Sequence, residues 1–306
     1  MLSSQLKLLR LVLLERPDIW HFHDPENLPL AILLSSLGQV VVWDAHEDYL
    51  GQMVDAGSVK KWVPATLAPM VGFAVRLLLT QADAASAGVV AATPTIAERY
   101  RNRNTVLVGN EARIEDFRNC IPNFSAKNAL FTGSPSTEHC FPEIVSGVAA
   151  IPDLTLTVAG RPPQAHMKAL AEQALGERVH FVGWLNRDEL RATMSGATIG
   201  FVTYEDTEAN SKALGNKVFE FAAAGLPIVT TPRSLVADAI GQGAFGVVAK
   251  GFAAADLEEA LRSAVGSEEE WAAMSGRGRE WAVEHGNYEA SERRLIDLYT
   301  RLSNPA

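Results

Sequence analysis

Short apolar runs rich in β-branched residues, each followed by a stretch with helical spacing, recur along the whole chain and leave few folds open. In the second half the runs are NALFTG (128–133), LTLTVAG (154–160), RVHFVGW (178–184), TIGFVTY (198–204), LPIVTT (226–231) and FGVVAK (245–250). Segments such as PPQAHMKALAEQALG separate them. Strands that alternate with helices form βαβ units and a parallel sheet. Six such strands make one doubly wound domain. The first half repeats the style with DIWHFH (18–23), QVVVWDAH (39–46), AASAGVVAAT (84–93) and TVLVGN (105–110). These four predict a smaller α/β domain. A linker is expected near NCIPNFSAKN (119–128), and helix from residue 252 to the end.

Two domains of moderate size suit 306 residues, of which 47% are hydrophobic, enough for real cores. The net charge of −9 and the lack of a basic stripe with interleaved aromatics argue against nucleic-acid binding. Cys120 and Cys140 have no metal-ligand spacing and suggest a reducing compartment. The opening MLSSQLKLLRLVLLERPD is amphipathic and lacks the layout of a signal peptide. WVPATLAPMVGFAVRLLL (62–79) is apolar, but Pro64, Pro69 and Arg76 interrupt it. It reads as a buried or cleft-lining helix, with membrane-surface contact as the second reading.

Ligands of open parallel sheets bind at the carboxyl ends of strands, and polar residues gather there. In NKVFEFAAAGLPIVTT (216–231), Gly215 and Asn216 mark a helix start whose N–H groups favour an anion such as a diphosphate. Lys217 adds a point charge, and Glu220 can accept both hydroxyls of a ribose diol. A capped helix with a solvated Glu–Lys pair fits the same pattern. In DAHEDY (44–49), His46 could position a sugar hydroxyl or leaving group, with Glu47 and Asp48 beside it; a hydrogen-bonded loop histidine fits equally.

In HFHDPENLP (21–29), alternation puts His21 and His23 on one face. Their spacing matches no established zinc pattern, so no metal is expected, and Asp24 or Glu26 is read as a helix cap. Gly160 and Arg161 follow one strand, where Arg161 could pair with a phosphate or lie in a surface turn. Gly183 and Trp184 follow another, with Trp184 placed to stack or to close the core rim. Gly-x-Ser-x-Gly, Walker and His-Glu-x-x-His motifs are missing, as is a GxGxxG opening the first βαβ unit.

Taken in order, PDIWHFHDPENLPLAILL, VVWDAHEDY, AATPTIAERY with NTVLVGN, LTLTVAGR, RVHFVGWLNRDEL and NKVFEFAAAGLPIVTT resemble the retaining glycosyltransferases of family 4. The HFHDP and DxHEDY pair resembles a bacterial branch acting in polysaccharide or glycoconjugate assembly. The resemblance implies an α/β GT-B fold of two Rossmann-like domains facing a cleft. Residues 1–124, joined by a C-terminal helix over 287–306, would form the acceptor-side domain, and 125–286 the donor domain.

The resemblance further implies a cytoplasmic, metal-independent enzyme without a cofactor, at the inner face of the plasma membrane if its acceptor is a lipid carrier. It would use a nucleotide-sugar donor and a glycan, lipid-linked or small-molecule acceptor. Glu220 matches the ribose-binding glutamate, and Gly215, Asn216 and Lys217 the diphosphate end. Gly183 and Trp184 match the nucleobase site. His46 matches the histidine facing the transferred sugar, so His46 and Glu220 are the catalytic candidates. Gly160 and Arg161 are further donor-side candidates, and His23, Asp24, Glu47 and Asp48 belong to the acceptor side.

Three departures set this sequence apart. Lys212 stands eight positions before Glu220, where the family has another glutamate. In TGSPSTEHCF (132–141), Ser134, His139 and Cys140 stand where relatives carry an arginine or lysine for the diphosphate. The chain also opens at what would be the helix before DIWHFH: either the start is misassigned, or the chain is truncated, or it works with an incomplete N-terminal domain, whose exposed sheet edge and helix faces could then call for a protein partner. The alternative reading is a non-catalytic subunit that binds a nucleotide sugar or a partner transferase.

Overall fold

The computed structural model describes residues 14–15, 17–46, 66–211, 214–264 and 268–304. The chain divides into two compact units, Met1–Gly109 with Ala290–Ala306, and Asn110–Glu289. That division comes earlier than the 124/125 join expected from the sequence. The reason is packing: Ala112 bridges to Asn287, and Phe117 and Cys120 belong to a core of the second unit.

The first unit holds a parallel sheet ordered β1 (Trp20–Phe22), β2 (Val41–Ala45), β3 (Gly88–Ala91) and β4 (Thr105–Leu107). The crossovers include α1 (Leu28–Ser36), α2 (Ala68–Ala85) and the single turn α3 (Pro94–Ala97). Strands β2 and β3 are almost wholly buried, as a parallel sheet covered on both faces requires. One face packs Phe22, Trp43 and Val89 against Leu28, Leu34 and Ala82. The other packs Val42 and Val90 against Leu295, Leu298 and Leu302. Gly88 permits that approach, because a Cβ there would meet Leu298 at 3.0 Å.

The stretch expected to be a buried helix over 62–79 is different in part. Helix α2 begins at Ala68, with Pro69 in its first turn, the position proline favours. Residues 62–65 lie outside the described residues. The helix is apolar around most of its girth, and only one side packs inward. Met70 and Phe73 are therefore exposed, at 67% and 70%. Among the described residues no helix is long and apolar enough to cross a membrane.

The second unit opens with the single turn α4 (Ile114–Phe117). Its six strands are β5 (Asn128–Thr132), β6 (Thr155–Ala159), β7 (Val179–Gly183), β8 (Ile199–Phe201), β9 (Ile228–Thr230) and β10 (Gly246–Val248). The helices are α5 (Phe141–Ala149), α6 (Ala165–Leu175), α7 (Arg187–Ser195), α8 (Glu208–Ser211), α9 (Asn216–Ala224), α10 (Leu235–Gly243), α11 (Ala254–Ala264) and α12 (Glu268–His285). The last helix, α13, spans Tyr288–Ser303. The sheet is parallel and ordered β10-β9-β8-β5-β6-β7. The chain winds outward from β5 to β7, then returns to lay β8 on the other side of β5. That reversal leaves a crevice between β5 and β8 at their carboxyl ends, where doubly wound sheets bind ligands.

Candidate functional site

Helix α9 enters this crevice. Its inner face, Val218, Phe219, Phe221 and Ala222, is buried, and Gly200 on β8 makes room for the Phe221 ring. Gly225 ends the helix in the left-handed region at φ 70°. The Arg279 guanidinium donates hydrogen bonds to the carbonyls of Ala223 and Ala224, and to that of Cys120. A cation on the last carbonyls complements the helix dipole and fixes the helix axis. At the other end the N-cap, Gly215, has no side chain to accept from the first turn. A Cβ there would lie 2.9 Å from the Tyr204 hydroxyl. The Val218 N–H is bonded to the Gly215 carbonyl, and the N–H groups of Asn216 and Lys217 are the ones an anion could meet.

The Lys217 side chain runs back under the end of β5. Its ammonium lies 5.6 Å from the centroid of the Phe131 ring, and a Cβ added to Gly133 would sit 2.9 Å from Nζ. Burial lowers its pKa to about 8, with Glu220 and Glu138 opposing the shift. His139 stands beside it, edge-on to the Tyr204 ring at 5.5 Å. Burial and then Lys217 lower the His139 pKa to about 4, so it is neutral at pH 7. Its Nδ1 is buried without a hydrogen-bond partner among the described residues. The Cys140 thiol is pushed up to about 12 by burial, Glu143 and Glu205, which removes it as a nucleophile or cation substitute. The cation beside the end of β5 thus comes from Lys217 on α9 and not from residues 134–140.

Three neighbouring strands, β5, β6 and β7, end in glycines of positive φ: Gly133 (125°), Gly160 (137°) and Gly183 (74°). They are stitched together, Gly133 N–H to the Ala159 carbonyl and Gly160 N–H to the Gly183 carbonyl, both at 2.8 Å. The strand ends thus form a floor free of side chains that a ligand can approach closely. Arg161 and Trp184 follow this floor, and both are exposed. Trp184 is 78% exposed, so it does not close the rim of the core.

Glu220, one turn into α9, lines a cavity of about 450 Å³ with Asn216, Arg187, Arg191, Asp116 and Tyr288 among its walls. That volume suits a small ligand. Burial raises the Glu220 pKa, while Arg187 and then Lys217 pull it down. Both side chains are partly buried, which does not fit a solvated Glu–Lys pair. Arg187 Nη1 is 3.4 Å from Asp116 Oδ2. The sequence reading missed Arg187, Arg191, Asp116 and Tyr288. The only signal was RVHFVGWLNRDEL, whose Asn186–Glu189 capping box fixes the start of α7.

In the first unit, His21 and His23 stack at 4.6 Å, as alternation along β1 requires. Asp44, at the end of β2, reaches both. His46 Nε2 is 3.7 Å from Asp24 Oδ1, and its ring is 6.2 Å from that of His23. Asp24 and Glu26 were expected to cap a helix, but neither the short turn Pro25–Asn27 nor α1 has a side-chain cap. Asp24 turns instead toward His46, with a positive φ of 64°. Glu47, Asp48 and Lys212 lie outside the described residues.

The fold aligns with solved structures. The sucrose-phosphate synthase of Thermosynechococcus elongatus aligns over 93% of this chain and 73% of its own, with a TM-score of 0.67 and 18% identity. Anabaena HepE, solved in complex with UDP, aligns over 92% of this chain and 78% of its own, with a TM-score of 0.70 and 12% identity. WaaG, described as a glycosyltransferase involved in lipopolysaccharide biosynthesis, gives 87% and 80%, a TM-score of 0.62 and 18% identity. The fold is GT-B. Residues 126–267, the bulk of the second unit, match the protein family described as Glycosyl transferases group 1. Among curated proteins none matches this sequence. Within the GT-B frame, α9 and the β5–β8 crevice belong to the half that carries the family match.

Proposed function

We propose that this protein is a glycosyltransferase that binds a nucleotide-sugar donor in its second unit and transfers the sugar to an acceptor hydroxyl. One observation carries the reading. Helix α9 brings an open N-terminus and the Lys217 ammonium to the switch point, and Glu220 to the adjoining cavity. In this reading Glu220 accepts the ribose hydroxyls. The nucleobase lies toward Gly183 and Trp184, with Gly160 and Arg161 on the donor side. Lys217 and the N–H groups of Asn216 and Lys217 take the charge that develops on the departing diphosphate. Because this charge is met by protein groups, we propose transfer without a metal, and with retention of configuration as the resemblance to family 4 implies.

Family 4 membership, a bacterial role in polysaccharide assembly and a glycan, lipid-linked or small-molecule acceptor are part of the same proposal. So are a cytoplasmic location and contact with the membrane surface. The non-catalytic reading rests partly on the missing cation at 134–140; in the catalytic reading Lys217 alone serves the diphosphate.

HepE has been solved with UDP, UDP-glucose, and UDP with glucose, which makes UDP and UDP-glucose the first ligands to try. By calorimetry, Glu220→Ala is expected to weaken nucleotide binding by about 1–3 kcal/mol through lost charged hydrogen bonds. Unchanged affinity would remove Glu220 from the site. From the first unit we assign His46 to turnover, with His23, Asp24, Glu47 and Asp48 on the acceptor side. His46→Ala should lower kcat while leaving the donor Kd nearly constant. Equal kcat in that variant would show His46 to be structural.

A further inference from the structure

The end of β1 and the end of β2 bring three donor atoms together outside the nucleotide site. His21 Nε2 lies 3.4 Å from Asp44 Oδ2, and His23 Nδ1 lies 2.9 Å from the same oxygen. All three ligand atoms fall within 4.8 Å of one another. The two histidines are separated by Phe22, which points into the core, so β1 presents both on one side. Asp44 comes from the next strand, which pairs with β1 in parallel, His21 opposite Val42 and Phe22 opposite Trp43.

His21 is held from behind. Its Nδ1 is hydrogen-bonded to the Tyr299 hydroxyl on α13, and its Nε2 is buried with no hydrogen-bond partner among the described residues. An imidazole fixed through one nitrogen while the other is bare and aimed at a carboxylate is the arrangement that ligating histidines adopt.

We propose that His21, His23 and Asp44 bind a divalent transition-metal ion of the zinc class. Two imidazoles and one carboxylate are a borderline donor set that suits zinc or cobalt better than magnesium or calcium. Metal–ligand bonds of about 2.0–2.2 Å in a tetrahedron separate neighbouring donors by roughly 3.3 Å. The 2.9 and 3.4 Å separations bracket that value. The His23 side chain is 56% exposed, so its ring can turn to bring Nδ1 into line. A fourth position is left for water or a further ligand. The site ties β1, β2 and, through Tyr299, α13 together. It is independent of the diphosphate chemistry proposed above, and its test does not depend on activity.

Tag-free protein, stripped with a chelator and dialysed, is titrated with Zn²⁺ against a chromophoric competitor and separately with Co²⁺. The expected result is one ion per chain, with visible Co²⁺ bands of a four-coordinate site and a higher Tm in Zn²⁺. Asp44→Asn and His23→Gln should each weaken Zn²⁺ binding at least tenfold, and Tyr299→Phe by about 10–100-fold through the lost support of His21. His23 is exposed, so its variant keeps the test decisive if Asp44→Asn does not fold. Binding of no ion, or of an ion with equal affinity in the His23 and Tyr299 variants, would overturn the proposal.

Discussion

Lys217→Met is expected to lower glycosyl transfer by about 10²–10³-fold, the loss typical when a group aimed at developing charge is removed. The substitution keeps the aliphatic bulk over the Phe131 ring and deletes only the ammonium. It also relieves the burial of a charge, so the variant should melt no lower than the parent. A drop in turnover at unchanged Tm therefore separates a role at the site from a role in the core.

The wild-type protein carries a second signature of the same group. Burial holds the Lys217 pKa at about 8. A bound diphosphate favours the ammonium and raises that pKa, so binding takes up a proton above pH 8. Donor affinity should thus be full below about pH 8 and fall as pH rises beyond it. His139 contributes nothing near pH 7, being neutral down to about pH 4. Calorimetry between pH 6.5 and 9.5 measures the slope, and Lys217→Met should abolish it. A slope that survives in the variant would assign the titration elsewhere.

Gly160→Ala is expected to damage the fold itself. A Cβ at that position would lie 2.2 Å from the Gly133 carbonyl oxygen, and the φ of 137° is one that only glycine adopts without strain. The contact is backbone against backbone, between the ends of two paired central strands, so no side chain can swing away. We expect a loss on the order of 3 kcal/mol, or about 10 °C in the Tm of a unit this size. Thermal unfolding checks this directly. Gly176→Ala makes a useful comparison: its φ of 57° is also positive, but nothing lies within 4 Å of a Cβ there. It should cost about 1 kcal/mol. Equal losses in the two variants would show that close approach at Gly160 is not what demands glycine.

Much of the fold was legible because it is written locally. Each apolar run expected to be a strand is a strand, since burial on both faces of a parallel sheet demands just such runs. Glu220 and Lys217 were legible because a helix start with Gly215 before it and Gly225 after it has a recognisable local grammar. The stacked pair of His21 and His23 followed from the period of a strand. The exposed face of α2 was not legible: a helix apolar on most sides does not disclose which side is covered.

The sequence by itself thus determined the elements, their parallel arrangement and the residues at each strand's end. Only the tertiary structure decided which ends meet. The return of β8 to the free side of β5 placed Lys217 beneath Gly133 and beside His139. The pairing of β1 with β2 put Asp44 between two histidines more than twenty residues earlier in the chain. The packing of α13 added Tyr299 behind His21. Periodicity reports one element's own geometry, whereas strand order joins residues far apart in sequence. For that reason the ammonium beside the end of β5, and the third member of the proposed metal site, appear only once the chain is folded.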